Sequence, residues 1–150
     1  MATTLTSVLV HVTFSTKNRE PLIPLDLRPD LFAYMGGICR DMHSPLRHAG
    51  GVADHVHLLI SLGKSAAIAD VMMHVKRATS AWIKNQRSGL HNFAWQDGYF
   101  AFSVGHDSID AVRAYFDRQE AHHKAIDFKS EMLAFLAKYE VPYKPEYLWD

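Results

Sequence analysis

The sequence predicts an α+β fold built on one antiparallel sheet, and three observations carry that prediction. Residues 7–15 and 54–62 alternate with period two, as half-buried strands do. Residues 26–42 and 66–87 instead repeat their apolar side chains at helical spacing. With two further strand-like stretches, the elements run β-α-β-β-α-β and are followed by two more helices. That order is the split β-α-β, ferredoxin-like plan.

The first strand sets Val8, Val10, Val12 and Phe14 on one face and Leu9, His11 and Thr13 on the other. A polar connection, residues 16–21, leads to the first helix, where Asp26 can serve as N-cap and Pro29 falls in the tolerant first turn. Leu31, Met35, Ile38 and Met42 form its apolar stripe. Residues 45–52 make a second strand interrupted by Gly50 and Gly51, and the tight link at Ala53-Asp54 pairs it antiparallel with the next. The second helix buries Ile68, Val71, Met72, Val75, Thr79, Trp82 and Ile83. A loop over 89–98 contains Trp95, which is suited either to core packing or to stacking on a base. Strand formers at 99–105 give the fourth strand. Asp107 or Ser108 caps a third helix over 109–124, and a last helix covers 128–139. The sheet face opposite the first two helices is left for the third. Residues 1–150 read as one domain, with 141–150 as a C-terminal extension.

Composition excludes several classes. Of 150 residues, 48% are hydrophobic and 21% charged, so a globular core is expected. Net charge is zero with histidine neutral, which argues against a uniformly basic nucleic-acid binder and confines any such site to a local patch. The single Cys39 allows no intrachain disulfide and no cysteine-rich zinc site. No leader and no apolar run near membrane-spanning length is visible, so a cytoplasmic, nucleoid-associated protein is expected.

The stretch Asp54-His55-Val56-His57-Leu58-Leu59-Ile60-Ser61-Leu62 carries the chemistry. Val56, Leu58, Ile60 and Leu62 face one way, and His55, His57, Leu59 and Ser61 the other. Two strand rises place the imidazoles roughly 6–7 Å apart at the backbone, close enough to share a metal ion. By itself, the pair equally describes two polar residues on a solvated face. Asp54 points away from them and is expected to shape the turn. On the third helix, Tyr115 and Gln119 are four residues apart and share a face at the flank of the stripe Ile109, Val112 and Phe116. Alone they describe a tyrosine at a helix–sheet seam and a surface amide.

Together the two elements resemble the HUH single-tyrosine transposases of bacterial insertion sequences, the IS200-like group, and their repeat-associated tyrosine transposase relatives. The resemblance also takes in His11 with Ser15-Thr16-Lys17-Asn18-Arg19, Gly50-Gly51, Trp95-Gln96-Asp97-Gly98-Tyr99, Phe102-Ser103-Val104, Glu120-Ala121-His122-His123-Lys124 and Tyr147-Leu148-Trp149-Asp150. It implies metal ligation by His55, His57 and Gln119 and a nucleophile at Tyr115. It further implies a transposase and single-strand endonuclease that cleaves and rejoins single-stranded DNA with hairpin ends through a 5′-phosphotyrosine, acting as a homodimer. Whether the tyrosine serves its own chain or its partner's stays open. Neutral imidazole and amide donors suit Mn²⁺, while Mg²⁺ favours oxygen, so either divalent ion is expected to serve.

Residues 64–91 hold Lys64, Lys76, Arg77, Lys84 and Arg87 against Asp70 alone. Lys76, Arg77, Lys84 and Arg87 form one side stripe, and with Lys17, Arg19, His122 and His123 they are the candidate DNA contacts. His11, His122 and His123 are candidate outer contacts of the site. His43, His48, His74, His91 and His106 belong to no constellation. Three alternatives remain: a domesticated relative that nicks or binds hairpin DNA, a non-catalytic ferredoxin-like nucleic-acid-binding module, and a generic metal-dependent phosphoesterase acting on small molecules.

Overall fold

A computed structural model describes residues 2–149. Its elements are β1 (Leu9–Ser15), α1 (Arg28–Asp41), β2 (Leu46–Gly51), β3 (His55–Ser61), α2 (Ile68–Lys84), β4 (Phe100–Val104), α3 (Ile109–Asp117), α4 (Gln119–His122) and α5 (Phe128–Lys138). The strands lie in the order β2-β3-β1-β4 and every pair is antiparallel. This is the ferredoxin-like sheet that the element order predicts.

Both sheet faces are covered by helices. Val10, Val12, Phe14, Val56, Leu58 and Ile60 point to one face and pack against Leu31, Met35 and Cys39 of α1 and Val71, Met72, Val75 and Ile83 of α2. Burial pushes the Cys39 thiol up to about 11, so it stays protonated as an inert core group. The opposite face carries His55 and His57 of β3. Register sets Ser15 and Thr13 beside them, with His11 beside Leu59. Here the cover is split. Phe116 of α3 packs on Leu9 and Leu59 at one side. Phe128, Met132 and Leu136 of α5 pack on Phe100 and Phe102 of β4 at the other. The histidine pair lies in the seam between these two clusters.

Gly50 brings α3 down onto the sheet. It sits opposite His57 in the ladder, and a Cβ there would lie 2.6 Å from the Phe116 carbonyl oxygen. Only glycine permits that approach. Several element boundaries differ from expectation; α2, for one, is Ile68–Lys84 rather than 66–87. Asp26 lies in a short 3-10 turn before α1, whose N-cap Leu27 offers no side-chain bond. The third helix does not run to Lys124; it stops at Asp117, and Arg118 leaves helical geometry at φ −99° and ψ 14°. No described helix is long and apolar enough to cross a membrane.

Candidate active site and metal centre

Strand β3 holds His55 and His57 on a backbone whose other face is locked into the core, so their Cβ positions are rigid. Both side chains are fully buried. Each ring is also held through Nδ1. Asp54 Oδ1 lies 2.6 Å from His55 Nδ1, and His11 Nε2 lies 2.8 Å from His57 Nδ1. Asp54 therefore orients His55 and does more than shape the turn. Anchoring one nitrogen aims the other, Nε2, into the seam, the arrangement that ligating histidines use. Burial, then the neighbouring His55, lowers the His57 pKa to about 4; burial and His57 lower that of His11 to about 3. Both shifts favour the neutral imidazole, the form in which His57 can ligate.

The end of α3 brings in the phenol. Tyr115 is half-buried, with its ring centroid 5.6 Å from that of His57 in the same chain. The break at Arg118 then turns Gln119 inward. The Gln119 amide nitrogen donates to the Tyr115 carbonyl at 3.2 Å, sharing that oxygen with the Arg118 N–H, and its Oε1 lies 3.3 Å from His55 Nε2. Gln119 is 1% exposed, not the half-exposed flank residue that an unbroken helix would make it.

The centre of the seam is filled by a residue that the motifs do not include. Glu131, in the first turn of α5, is 3% exposed. Its Oε1 stands 3.3 Å from His57 Nε2 and 3.8 Å from His55 Nε2. Its Oε2 accepts the Tyr115 hydroxyl and lies 3.0 Å from His122 Nε2 and 3.3 Å from His123 Nε2. Burial pulls the Glu131 pKa up, but contacts to His123 and His57 outweigh it and hold the carboxyl well below its usual range. Burial, and then the hydrogen bond to that carboxylate, drive the Tyr115 pKa well above its ordinary value. Burial opposes the shift at His123, but Glu131 raises its pKa.

Several of these atoms lack full satisfaction. His57 Nε2, His122 Nε2, His123 Nε2 and Glu131 Oε1 are buried without a well-formed hydrogen bond. Buried polar atoms in that condition are costly unless something else binds them. Ligating atoms of His55, His57, His123 and Glu131 all lie within 4.8 Å of one another. Atoms on opposite sides of an ion are separated by about twice a bond of about 2.1 Å, so a small contraction closes the cluster around a divalent cation. Imidazole and carboxylate donors together are those of a divalent-metal site.

The family described as IS200-like transposase matches residues 4–119, from before β1 to Gln119. The chain belongs to the IS200-like transposase family. Comparison with curated proteins gave no match. Among solved structures, the fold is similar to a protein assigned as a transposase from Deinococcus radiodurans R1. That pair is 18% identical with a TM-score of 0.60, covering 79% of this chain and 95% of the other. It is also similar to a REP-associated tyrosine transposase solved with a REP hairpin, at 13% identity and a TM-score of 0.62, covering 84% of this chain and 74% of that one. The family match ends at Gln119, so α5 and its Glu131 lie outside it.

The structure brings together His55, His57, Tyr115, Gln119, His11, His122 and His123. It does not bring the α2 stripe with them. Lys76, Arg77 and Lys84 are on α2, behind the sheet, and Arg87 follows it. Lys76 Nζ donates to the Asp97 and Gly98 carbonyls at 3.1 and 2.7 Å, and Arg87 pairs with Asp26 at 2.5 Å. A strand touching both regions has to wrap the sheet edge. Lys17 lies 3.9 Å from Asp97, and the Arg19 guanidinium stands 5.7 Å from the Trp149 ring centroid. Trp95 is core: its ring is edge-on to Phe14 at 4.8 Å, and its indole N–H donates to Thr79 Oγ1 at 2.9 Å. His48, assigned to no constellation, meets Asp117 at 2.7 Å and ties the end of α3 to β2. One signal does mark Glu131 in the sequence. It occupies an apolar-stripe position of its helix, three residues after Phe128 and beside Met132.

Proposed function

We propose that this protein is a metal-dependent transposase that cuts and rejoins single-stranded DNA, with Tyr115 as nucleophile. The observation that carries the reading is one shared carboxylate. Glu131 takes the Tyr115 hydroxyl on one oxygen and faces both imidazoles with the other, all within a single chain. His55, His57 and Glu131 would hold the ion, with Gln119 Oε1 and His123 at its border. A bound divalent cation supplies positive charge to the scissile phosphate and orients it.

The chain's own groups do the rest. The Tyr115 oxygen attacks phosphorus and the bond to the 3′ oxygen breaks, leaving a 5′-phosphotyrosine and a free 3′-hydroxyl. Glu131 Oε2 accepts the Tyr115 hydroxyl and so orients the phenolic oxygen; the phenolic proton leaves to solvent as the oxygen–phosphorus bond forms. The departing 3′ oxygen takes up one proton from solvent, so the step balances. A second DNA 3′-hydroxyl reverses the reaction and joins strands without ATP. The neighbour solved with a REP hairpin supports hairpin-bearing DNA as substrate. A homodimer would hold two DNA ends together, although the phenol and imidazoles already meet within one chain.

The test is incubation with single-stranded oligonucleotides carrying hairpins, with Mn²⁺ or Mg²⁺. A denaturation-resistant protein–DNA adduct is expected, and it should disappear with chelator. An adduct that persists in Tyr115→Phe overturns the assigned nucleophile.

A further inference from the structure

An aromatic surface begins where the Tyr115 ring ends, and the chemistry above does not use it. Phe135 and Tyr139, one turn apart at the end of α5, both stack on Phe102 of β4. The centroid distances are 5.1 and 4.9 Å and the planes differ by 21° and 25°. The two rings differ from each other by only 16°, with centroids 6.3 Å apart. Rings on opposite faces of Phe102 would be separated by two contact gaps of roughly 3.5 Å each. These two therefore lie on the same face and make one shelf.

The shelf abuts the nucleophile, since the Tyr115 ring meets Phe135 edge-on at 6.1 Å. Two clefts, of about 340 and 240 Å³, share Tyr115, Phe135 and Lys138 as walls. Tyr139 keeps 37% of its surface exposed. Its place is fixed by the helix end, where Glu140 takes φ 55° and the Val141 N–H reaches back to the Leu136 carbonyl at 2.9 Å. The Lys138 ammonium stands over the Tyr139 ring, 5.3 Å from its centroid, and no ion pair to a carboxylate ties it there among the described residues, so the flexible side chain can swing aside.

We propose that this shelf seats an unpaired base next to the scissile phosphate, with Lys138 on the adjoining phosphate. The proposal rests on the reading of the protein as a single-strand transposase acting through Tyr115. A ring capped only by a mobile ammonium complements one nucleotide: the base takes the ring as the ammonium moves to the phosphate. A duplex cannot use the shelf, because the faces of its bases are covered by their neighbours. The shelf thus selects single strands at the point of cutting. It does so without reading sequence, because every base has a π face.

Fluorescence anisotropy with chelator present tests this on the full chain, using a labelled oligothymidylate and a mixed-sequence duplex of equal length. Tyr139→Ala is expected to weaken oligothymidylate binding ~10-fold, within the range of one stacked base, and to leave duplex binding unchanged. Tyr139→Phe should bind as the parent does, which separates ring stacking from hydroxyl contacts. Lys138→Gln should lower the slope of log affinity against log salt by about 0.7, the share of one phosphate on a single strand. Unchanged oligothymidylate binding by Tyr139→Ala overturns the proposal, as does equal weakening toward the duplex. The adduct assay on the same preparations keeps the two readings apart. Shelf effects without any adduct from the parent chain would overturn the Tyr115 reading and support the shelf.

Discussion

The two faces of the sheet are built from alternate residues of the same strands, yet they do different work. On the α1–α2 side, β3 contributes Val56, Leu58 and Ile60, all apolar and fully packed. On the other side it contributes His55 and His57, equally buried but placed where two separate aromatic clusters leave a seam. Full burial of imidazoles, a glutamate and an amide is tolerable only because they partner one another, and even so several atoms are left wanting. The apolar face is closed by packing, whereas the polar face keeps buried donor and acceptor atoms that its own partners do not satisfy. Stability and chemistry are thus separated by the thickness of one strand, and substitutions should divide the same way.

The largest effect is expected on the polar face. Tyr115→Phe should lower adduct formation at least ~1,000-fold on denaturing gels while leaving the fold intact. The mirror experiment on the apolar face is Phe14→Ala. Phe14 is completely buried, so its loss should cost about 3–5 kcal/mol in denaturant unfolding, while the molecules that remain folded keep their rate of adduct formation. A fall in that rate beyond the loss of folded protein would erase the proposed division of labour.

Acid should act through the polar face. In the fold His57 binds its proton only near pH 4 and His11 only near pH 3, against an ordinary 6.5. Between those values the unfolded chain binds more protons than the native one, so stability drops as pH falls. The metal-free protein should lose about 3 kcal/mol through His57 alone between pH 6.5 and 4. Glu131, whose pKa is held down in the fold, adds to the loss once pH passes below its unfolded value. Chemical denaturation across this range in chelator measures it, and a flat profile would show that these imidazoles are not held neutral.

Smaller effects sharpen the seam itself. Glu131→Gln should weaken Mn²⁺ binding ~10–100-fold by titration calorimetry, since a carboxylate ligand becomes an amide. Affinity equal to that of the parent would remove Glu131 from the ligand set. Gly50→Ala should be the mildest, at about 1–2 kcal/mol and ~10-fold in adduct formation. Its methyl must push α3, and with it Tyr115, away from His57.

Much of this was legible because it is local. Alternation along 55–61 determines that both histidines share a face, and helical spacing in α1 and α2 determines which residues cover the other face. Gly50 and Gly51 were legible only as an interruption of the second strand; that α3 comes down on Gly50 is a tertiary fact. The family motifs then point to Tyr115 and Gln119. Periodicity carried across Arg118 misplaces Gln119 because a helix break changes facing without changing spacing. Trp95 was ambiguous for another reason: a buried indole requires an acceptor, and Thr79 lies on a different element.

The chain by itself determined the order of elements along it, the apolar core and the shared face of His55 and His57, all consequences of short-range pattern. Only the tertiary structure decided that Glu131 stands between those imidazoles and Tyr115, that Asp54 and His11 aim the two rings, and that phenol and imidazoles meet within one chain. Each of those facts depends on where α3 and α5 close over the sheet. That closure is set by shape and burial summed over many side chains, and no stretch of sequence encodes it alone.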